Sequence, residues 1–283
     1  MSFVPMKALM DKAWRGGYAV PAFCAWNAEV MSAALRVAER LRAPVILMQG
    51  PGEFPLLPPP EMAAVARAIE ALHGATAALH LDHGDSPALV SSCLENGYTS
   101  VMLDYSTRPF EDNVAALAEV ARLARPLGVT VEGELGHVGK ASETSVEGST
   151  VSTLTDPATA REYVERTGVD CLAVSIGNKH GFYRGDPKLE FGLLEELRAA
   201  TGIPMVLHGG TGISAADIER AISFGIAKVN VASELVHGVR ASLVEQWAGG
   251  RNQWTPEAQA VATRSIEASM EKWFRMTGAV ERA

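Results

Sequence analysis

Short apolar runs bounded by turn residues recur along the chain and alternate with longer stretches of helical apolar spacing. The runs fall at 18–23, 44–50, 77–83, 100–106, 129–136, 171–177, 204–210 and 227–233. They are continuous rather than alternating, as strands buried on both faces of a parallel sheet should be. Between them, stretches such as 111–125 (EDNVAALAEVARLAR) and 215–224 repeat apolar residues at the intervals of an amphipathic helix. Ser86-Pro87 and Asp156-Pro157 each set a capping residue before a proline at the first helical position. Strand-then-helix units repeated along 283 residues predict an α/β fold, a closed (β/α)8 TIM barrel forming one domain over 1–283. An open doubly wound sheet is the alternative. After the last run, 233–247 and 256–276 read as helices. The second exceeds what a barrel needs and marks an extra C-terminal helix, in a tail of about 250–283 that could pack on a neighbouring subunit.

Polar residues collect where these runs end. Asp82 and His83 close the third, Asp104 lies in the fourth, and Glu132 and Glu134 share one face of the fifth. His180 follows the sixth, His208 lies in the seventh, and Asn230 sits near the end of the eighth. In a barrel of this kind the chemistry sits at the carboxyl ends of the strands. Packing alone does not explain His, Asp, Glu and Asn there on six consecutive strands.

Composition narrows the class. The chain is 47% hydrophobic and 20% charged, with a net charge of −8 and no Lys/Arg block, which argues against a nucleic-acid partner. No apolar run spans a membrane and no basic-then-apolar leader is visible. Cys24, Cys93 and Cys171 are far apart without a CxxC, which fits a reducing cytoplasm.

His83, His180 and His208 come from three strands of one rim, a set suited to a catalytic Zn²⁺ with its fourth position open. Singly, each could be an ordinary hydrogen-bonding histidine near a loop. His73, His137 and His237 are read that way, and His80 is read as packed against a helix. Asp82 directly precedes a proposed ligand, so it starts from the opposite face unless the strand kinks at its end. A carboxyl there could act as general acid to a substrate oxygen or orient a histidine. Asp104 and Glu134 could hold a second metal position or orient the ligands, the orienting role being preferred. Beyond His208, the Gly209-Gly210-Thr211-Gly212 turn leads into a helix, as does Asn230-Val231-Ala232-Ser233. Adjacent loops after strands seven and eight are the usual phosphate site of this barrel.

These residues resemble the class II fructose-bisphosphate and tagatose-bisphosphate aldolases over nearly the whole chain. The shared blocks are YAVPAF (18–23), LDHG (81–84), VEGELG (131–136), AVSIGNKHG (173–181), LHGGTG (207–212) and NVAS (230–233). The resemblance implies Zn²⁺ on His83, His180 and His208, with Asp82 acting on the aldehyde oxygen. It implies dihydroxyacetone phosphate with its phosphate on Gly181, Gly209, Thr211, Ala232 and Ser233, and Asn230 close to the reacting carbons. Asp104 and Glu134 match carboxylates near the metal. A monovalent cation (Na⁺ or K⁺) near the phosphate and a homodimer or homotetramer also belong to the pattern. The implied reaction is reversible cleavage of a ketose 1,6-bisphosphate or ketose 1-phosphate to dihydroxyacetone phosphate and an aldehyde.

Two departures bear on the substrate. The family's loop G-G-x-E-D here reads Gly139-Lys140-Ala141-Ser142-Glu143-Thr144, leaving Glu143 as the nearest candidate base, with Glu147 also in reach. The family's PAFN reads Pro21-Ala22-Phe23-Cys24, a thiol in place of a substrate-facing amide. Trp26 and Gln49 are further pocket candidates, and Arg264 or Arg275 could reach a distal phosphate. Two other functions compete: a Schiff-base aldolase using Lys179, and a non-catalytic or partner subunit that keeps the barrel.

Overall fold

The computed structural model describes residues 3–55, 57–139, 153–183, 185–248 and 254–283. A first helix, α1 (Met6–Gly16), precedes eight parallel strands. These are β1 (Val20–Cys24), β2 (Val45–Gln49), β3 (Ala77–Gly84), β4 (Ser100–Leu103), β5 (Thr130–Leu135), β6 (Cys171–Val174), β7 (Met205–Leu207) and β8 (Ile226–Val231). They pair in chain order, and β8 closes on β1 with Ala22 opposite Asn230. The barrel is therefore closed, and the open-sheet alternative falls. Helices α2 (Ala28–Leu41), α3 (Pro59–Glu70), α4 (Pro87–Glu95), α5 (Phe110–Ala124), α6 (Pro157–Thr167), α7 (Phe191–Thr201), α8 (Ala215–Ser223) and α9 (Ser233–Ala248) each follow one strand.

Except for β3, the strands are shorter than the apolar runs that announce them. β7 keeps only Met205–Leu207, and β6 stops at Val174. The rest of each run peels away as rim loop at Gly209 (φ 67°) and Gly177 (φ 98°), backbone conformations that favour glycine. The two capping residues act as expected: Ser86 Oγ accepts from Leu89 N–H and Asp156 Oδ1 from Thr159 N–H.

Sequence reading overlooked α1, although Met6, Leu9, Met10 and Ala13 stand at helical intervals and are all buried. The segment crosses the amino-terminal ends of the strands: Val4 N–H donates to the Ala77 carbonyl and Lys7 N–H to Thr130 Oγ1. The barrel thus has a floor, and its opening is the opposite rim. The extra helix α10 (Thr255–Met276) packs within its own chain, against α9, α2 and β1. Its inward face includes Ile266, Met270, Trp273 and Phe274, with Phe274 edge-on to Phe23 at 5.4 Å. Among the described residues no helix is long and apolar enough to cross a membrane.

Candidate active site

β3 runs in register with β4 to Leu81, then shifts before Gly84 pairs with Leu103. Within that irregularity His83 takes φ 48°, a left-handed conformation that costs a residue with a side chain about 1–2 kcal/mol. The bulge lets successive side chains, Asp82 and His83, reach the same end of the barrel, which strict alternation forbids. Strain of this kind collects at functional sites, where surrounding contacts hold it in place.

Those contacts are specific. His83 Nδ1 donates to Asp104 Oδ2 at 2.7 Å, and His208 Nε2 donates to Glu132 Oε1 at 2.9 Å. A carboxylate only accepts, so each bond places a proton on that ring nitrogen and leaves the other one for a proton or a metal. The remaining nitrogens, His83 Nε2 and His208 Nδ1, face each other at 2.9 Å. Two opposed lone pairs repel, and the arrangement calls for a proton or a cation between them. His180 completes the group, its ring centroid 5.0 Å from that of His83, and one nitrogen from each ring lies within 4.8 Å of the others. Tetrahedral Zn²⁺ with bonds of about 2.0–2.1 Å would hold such nitrogens roughly 3.4 Å apart, well inside that spread.

The electrostatics favour positive charge at this point. Burial alone would lower the pKa of His83, but Asp82, Asp104 and Glu134 outweigh it and raise it to about 10. Burial and the neighbouring His83 lower His180 to about 4, and burial holds His208 well below the ordinary histidine value. His180 and His208 are thus neutral near pH 7, the form a metal binds. The donor set, its tautomers and its surplus of carboxylates fit Zn²⁺.

Beneath the imidazoles lies a layer of buried charge. Glu132 Oε2 accepts from Lys228 Nζ at 2.9 Å, and both side chains are fully buried. His80 belongs to the same layer rather than to a helix contact: it is fully buried, 3.6 Å from Glu132, with Nδ1 2.8 Å from Ser100 Oγ. The expectation failed because it counted parity back from His83, across the bulge. Lys228 was missed too, although a lysine inside the apolar run IAKVNV, two residues before Asn230, was a visible signal. A buried ammonium needs a carboxylate partner, and here that partner also orients a proposed ligand. Glu132→Gln is expected to weaken zinc affinity by about 10- to 100-fold. Competition against a chromophoric chelator measures this, and an unchanged affinity would refute the orienting role.

Asp82 lies at the edge of the cage. Its Oδ1 accepts from Asn230 Nδ2 at 3.0 Å. Burial opposes its ionisation, yet His83, His208 and Lys228 together lower its pKa. Asn230 Oδ1 and Glu134 Oε2 are buried without a hydrogen-bond partner, so polar valences remain at the reaction centre. Both oxygens of Asp104 are engaged, one by His83 and the other by Ser106 N–H and Oγ–H. Burial, with Asp104 adding to it, raises Glu134 to about 8. His83, Asp104 and Glu134 also form a group within 4.8 Å that could hold a cation.

The glycine-rich turn after β7 is pressed onto the loop after β6. A Cβ at Gly209 would run into the Lys179 carbonyl, and Tyr183 Oη donates to the Gly209 carbonyl at 3.2 Å. Gly181 lies in that same β6 loop. Thr211 Oγ1 accepts from Glu234 N–H at 3.3 Å, tying the turn to the first residues of α9 beside Ala232 and Ser233. The Glu234 carboxylate in turn accepts from Trp273 Nε1 at 2.9 Å, which anchors α10 here.

Other candidates are placed elsewhere. Lys179 is exposed, unlike the desolvated lysine a Schiff-base enzyme needs, and the buried Lys228 is held by Glu132. Gln49, by contrast, does line a pocket with Asp82 and His83, its amide held by the Ala25 carbonyl and the Tyr98 hydroxyl, whereas Trp26 is half-buried against the core. Arg264 lines an outer groove between α2 and α10, and Arg275 pairs with Glu271. Glu143 and Glu147 lie outside the described residues.

Residues 4–282 match the model of the class II fructose-bisphosphate aldolases. The chain belongs to that family. The aldolase is 42% identical over 238 residues to a probable fructose-bisphosphate aldolase of Bacillus subtilis (strain 168), covering 83% of this chain and 82% of that one. It is 44% identical over 244 residues to the fructose-bisphosphate aldolase of Geobacillus stearothermophilus, with the same coverage of 83% and 82%. The crystal structure of the YdjI aldolase from Escherichia coli K12 superposes with a TM-score of 0.88 at 31% identity, over 99% of each chain. The chain is thus an enzyme of the lyase class, from a zinc-dependent family, and the non-catalytic alternative falls with the Schiff-base one.

Proposed function

We propose that this aldolase reversibly cleaves a ketose 1-phosphate or ketose 1,6-bisphosphate to dihydroxyacetone phosphate and an aldehyde, using Zn²⁺ on His83, His180 and His208. The observation that carries it is the three-imidazole cage beside Asp82, on the rim that also bears the glycine-rich turn after β7. Bound zinc would supply a Lewis acid drawing charge from the carbonyl of the three-carbon half.

The chain's own groups do the rest. Asp82, held ionised by the surrounding cations and hydrogen-bonded to Asn230, takes the C4 hydroxyl proton as the C3–C4 bond breaks and returns it in synthesis. Asn230 steers Asp82 and keeps its carbonyl oxygen for the substrate. Gly181, Gly209, Thr211, Ala232 and Ser233 receive the phosphate beside the amino-terminus of α9. Glu143, or Glu147 on the same loop, moves the carbon-bound proton of dihydroxyacetone phosphate. Asp104 and Glu132 orient ligands, and Glu134 orients them or serves a second metal position. A monovalent cation (Na⁺ or K⁺) sits near the phosphate, and the whole chain acts as one catalytic domain. The enzyme works as a cytoplasmic homodimer or homotetramer; its three free cysteines and the exposed Val236, Val244 and Trp247 on α9 support this.

Cleavage of ketose 1-phosphates and 1,6-bisphosphates, read as dihydroxyacetone phosphate formed, should vanish with EDTA and return with Zn²⁺. Activity indifferent to EDTA would overturn the metal role, and no cleavage of any substrate by zinc-loaded enzyme would overturn the proposal.

A further inference from the structure

The loop after β2 lies hard against the end of β3. A Cβ at Gly50 would stand 2.5 Å from the Asp82 carbonyl oxygen, so no side chain fits there. Three residues on, the Glu53 side chain folds back. Its Oε2 accepts from Gly50 N–H at 2.7 Å, and its Oε1 accepts from Cys24 Sγ–H at 3.4 Å, at the end of β1. Burial, reinforced by the Glu53 charge, pushes the Cys24 thiol well above its ordinary pKa, so it remains a proton donor. Donors from two different strands' ends therefore fix one carboxylate in place.

That carboxylate borders a pocket of about 210 Å³ whose lining includes Cys24, Gly50, Glu53, Asp82, His83 and Ala232. No lysine or arginine lines it among the described residues. Given the aldolase chemistry proposed above, Asp82 works on the oxygen at C4, so the carbons beyond C4 begin beside Asp82. This is the pocket that Asp82 and Glu53 share. A carboxylate offers about four lone-pair sites, and two are taken, which leaves acceptors for hydroxyl protons. A phosphate in the same space would face the Glu53 carboxylate with no lysine or arginine among the described residues to pair with, an arrangement that disfavours binding.

We propose that Glu53, positioned by Cys24 and Gly50, determines specificity for the aldehyde half. It accepts hydrogen bonds from the hydroxyls of an uncharged hydroxyaldehyde and refuses a second phosphate. The preferred substrates are then ketose 1-phosphates that carry no phosphate at the far end, rather than 1,6-bisphosphates. This rests on the aldolase function proposed above and narrows it to one substrate class.

The test runs in the synthetic direction with full-length, zinc-loaded enzyme and dihydroxyacetone phosphate. D-glyceraldehyde and L-glyceraldehyde are compared with D-glyceraldehyde 3-phosphate as acceptors. The better neutral aldehyde should show kcat/KM at least about 10-fold above the phosphorylated one. E53Q should lose about 10-fold on the neutral aldehyde, mainly in KM, and narrow the ratio, while E53K should move it toward the phosphorylated acceptor. Zinc content and Tm of each variant separate lost fold from lost recognition. Equal or better use of glyceraldehyde 3-phosphate by the native enzyme would overturn the proposal, and so would an unchanged ratio in folded, zinc-loaded E53Q. The wider function fails differently: native enzyme would then neither exchange the carbon-bound proton of dihydroxyacetone phosphate with D₂O nor join it to any acceptor.

Discussion

Replacing His208 by alanine is expected to abolish zinc retention and aldol cleavage together. Its ring supplies one of three nitrogens and bridges the cage to Glu132, 2.9 Å away. Truncation removes the proposed ligand and leaves the buried Glu132–Lys228 pair beside a void. Loss of the Lewis acid removes several kcal/mol of stabilisation, so cleavage should fall by on the order of 10³-fold or more. Metal analysis of dialysed protein, set beside the rate, checks this. One zinc per chain retained at full occupancy would refute the ligand role.

Asp82→Ala should behave in the opposite way toward the metal. Asp82 touches Asn230 and faces the cage without belonging to the three-histidine set, so zinc should stay. The rate should fall by about 10²- to 10⁴-fold, the range for a lost general acid or base. Removing the carboxylate also removes one of the charges that raise His83, which makes zinc content an informative control. Loss of zinc along with the rate would reassign Asp82 to holding the site rather than moving the proton.

Much of this architecture is legible in the sequence because barrel strands have no polar face to hide. A strand buried on both sides is mostly apolar, so Asp82, His83, Asp104, His180, His208 and Asn230 stand out at the ends of such runs. What the pattern hides is anything that changes register. The bulge at Asp82–His83 depends on one backbone angle and carries no composition signal, so His80 was assigned to the wrong side of its strand. Lys228 was visible as a lysine inside an apolar run, but its role was not, because the partner that holds it, Glu132, stands nearly a hundred residues away in sequence. Glu53 was passed over for a related reason. Its significance comes from Cys24 and Gly50, on two other segments, and reading along one chain does not bring them together.

The floor of the barrel has a practical side. Lys12 on α1 donates through Nζ to the carbonyls of Arg282 and Ala283, so α1 and the segment after α10 meet on the face opposite the catalytic rim. A tether built onto either one would leave the opening turned away from its support. An immobilised form of this enzyme anchored through either segment is therefore expected to keep its catalytic rim facing the solution.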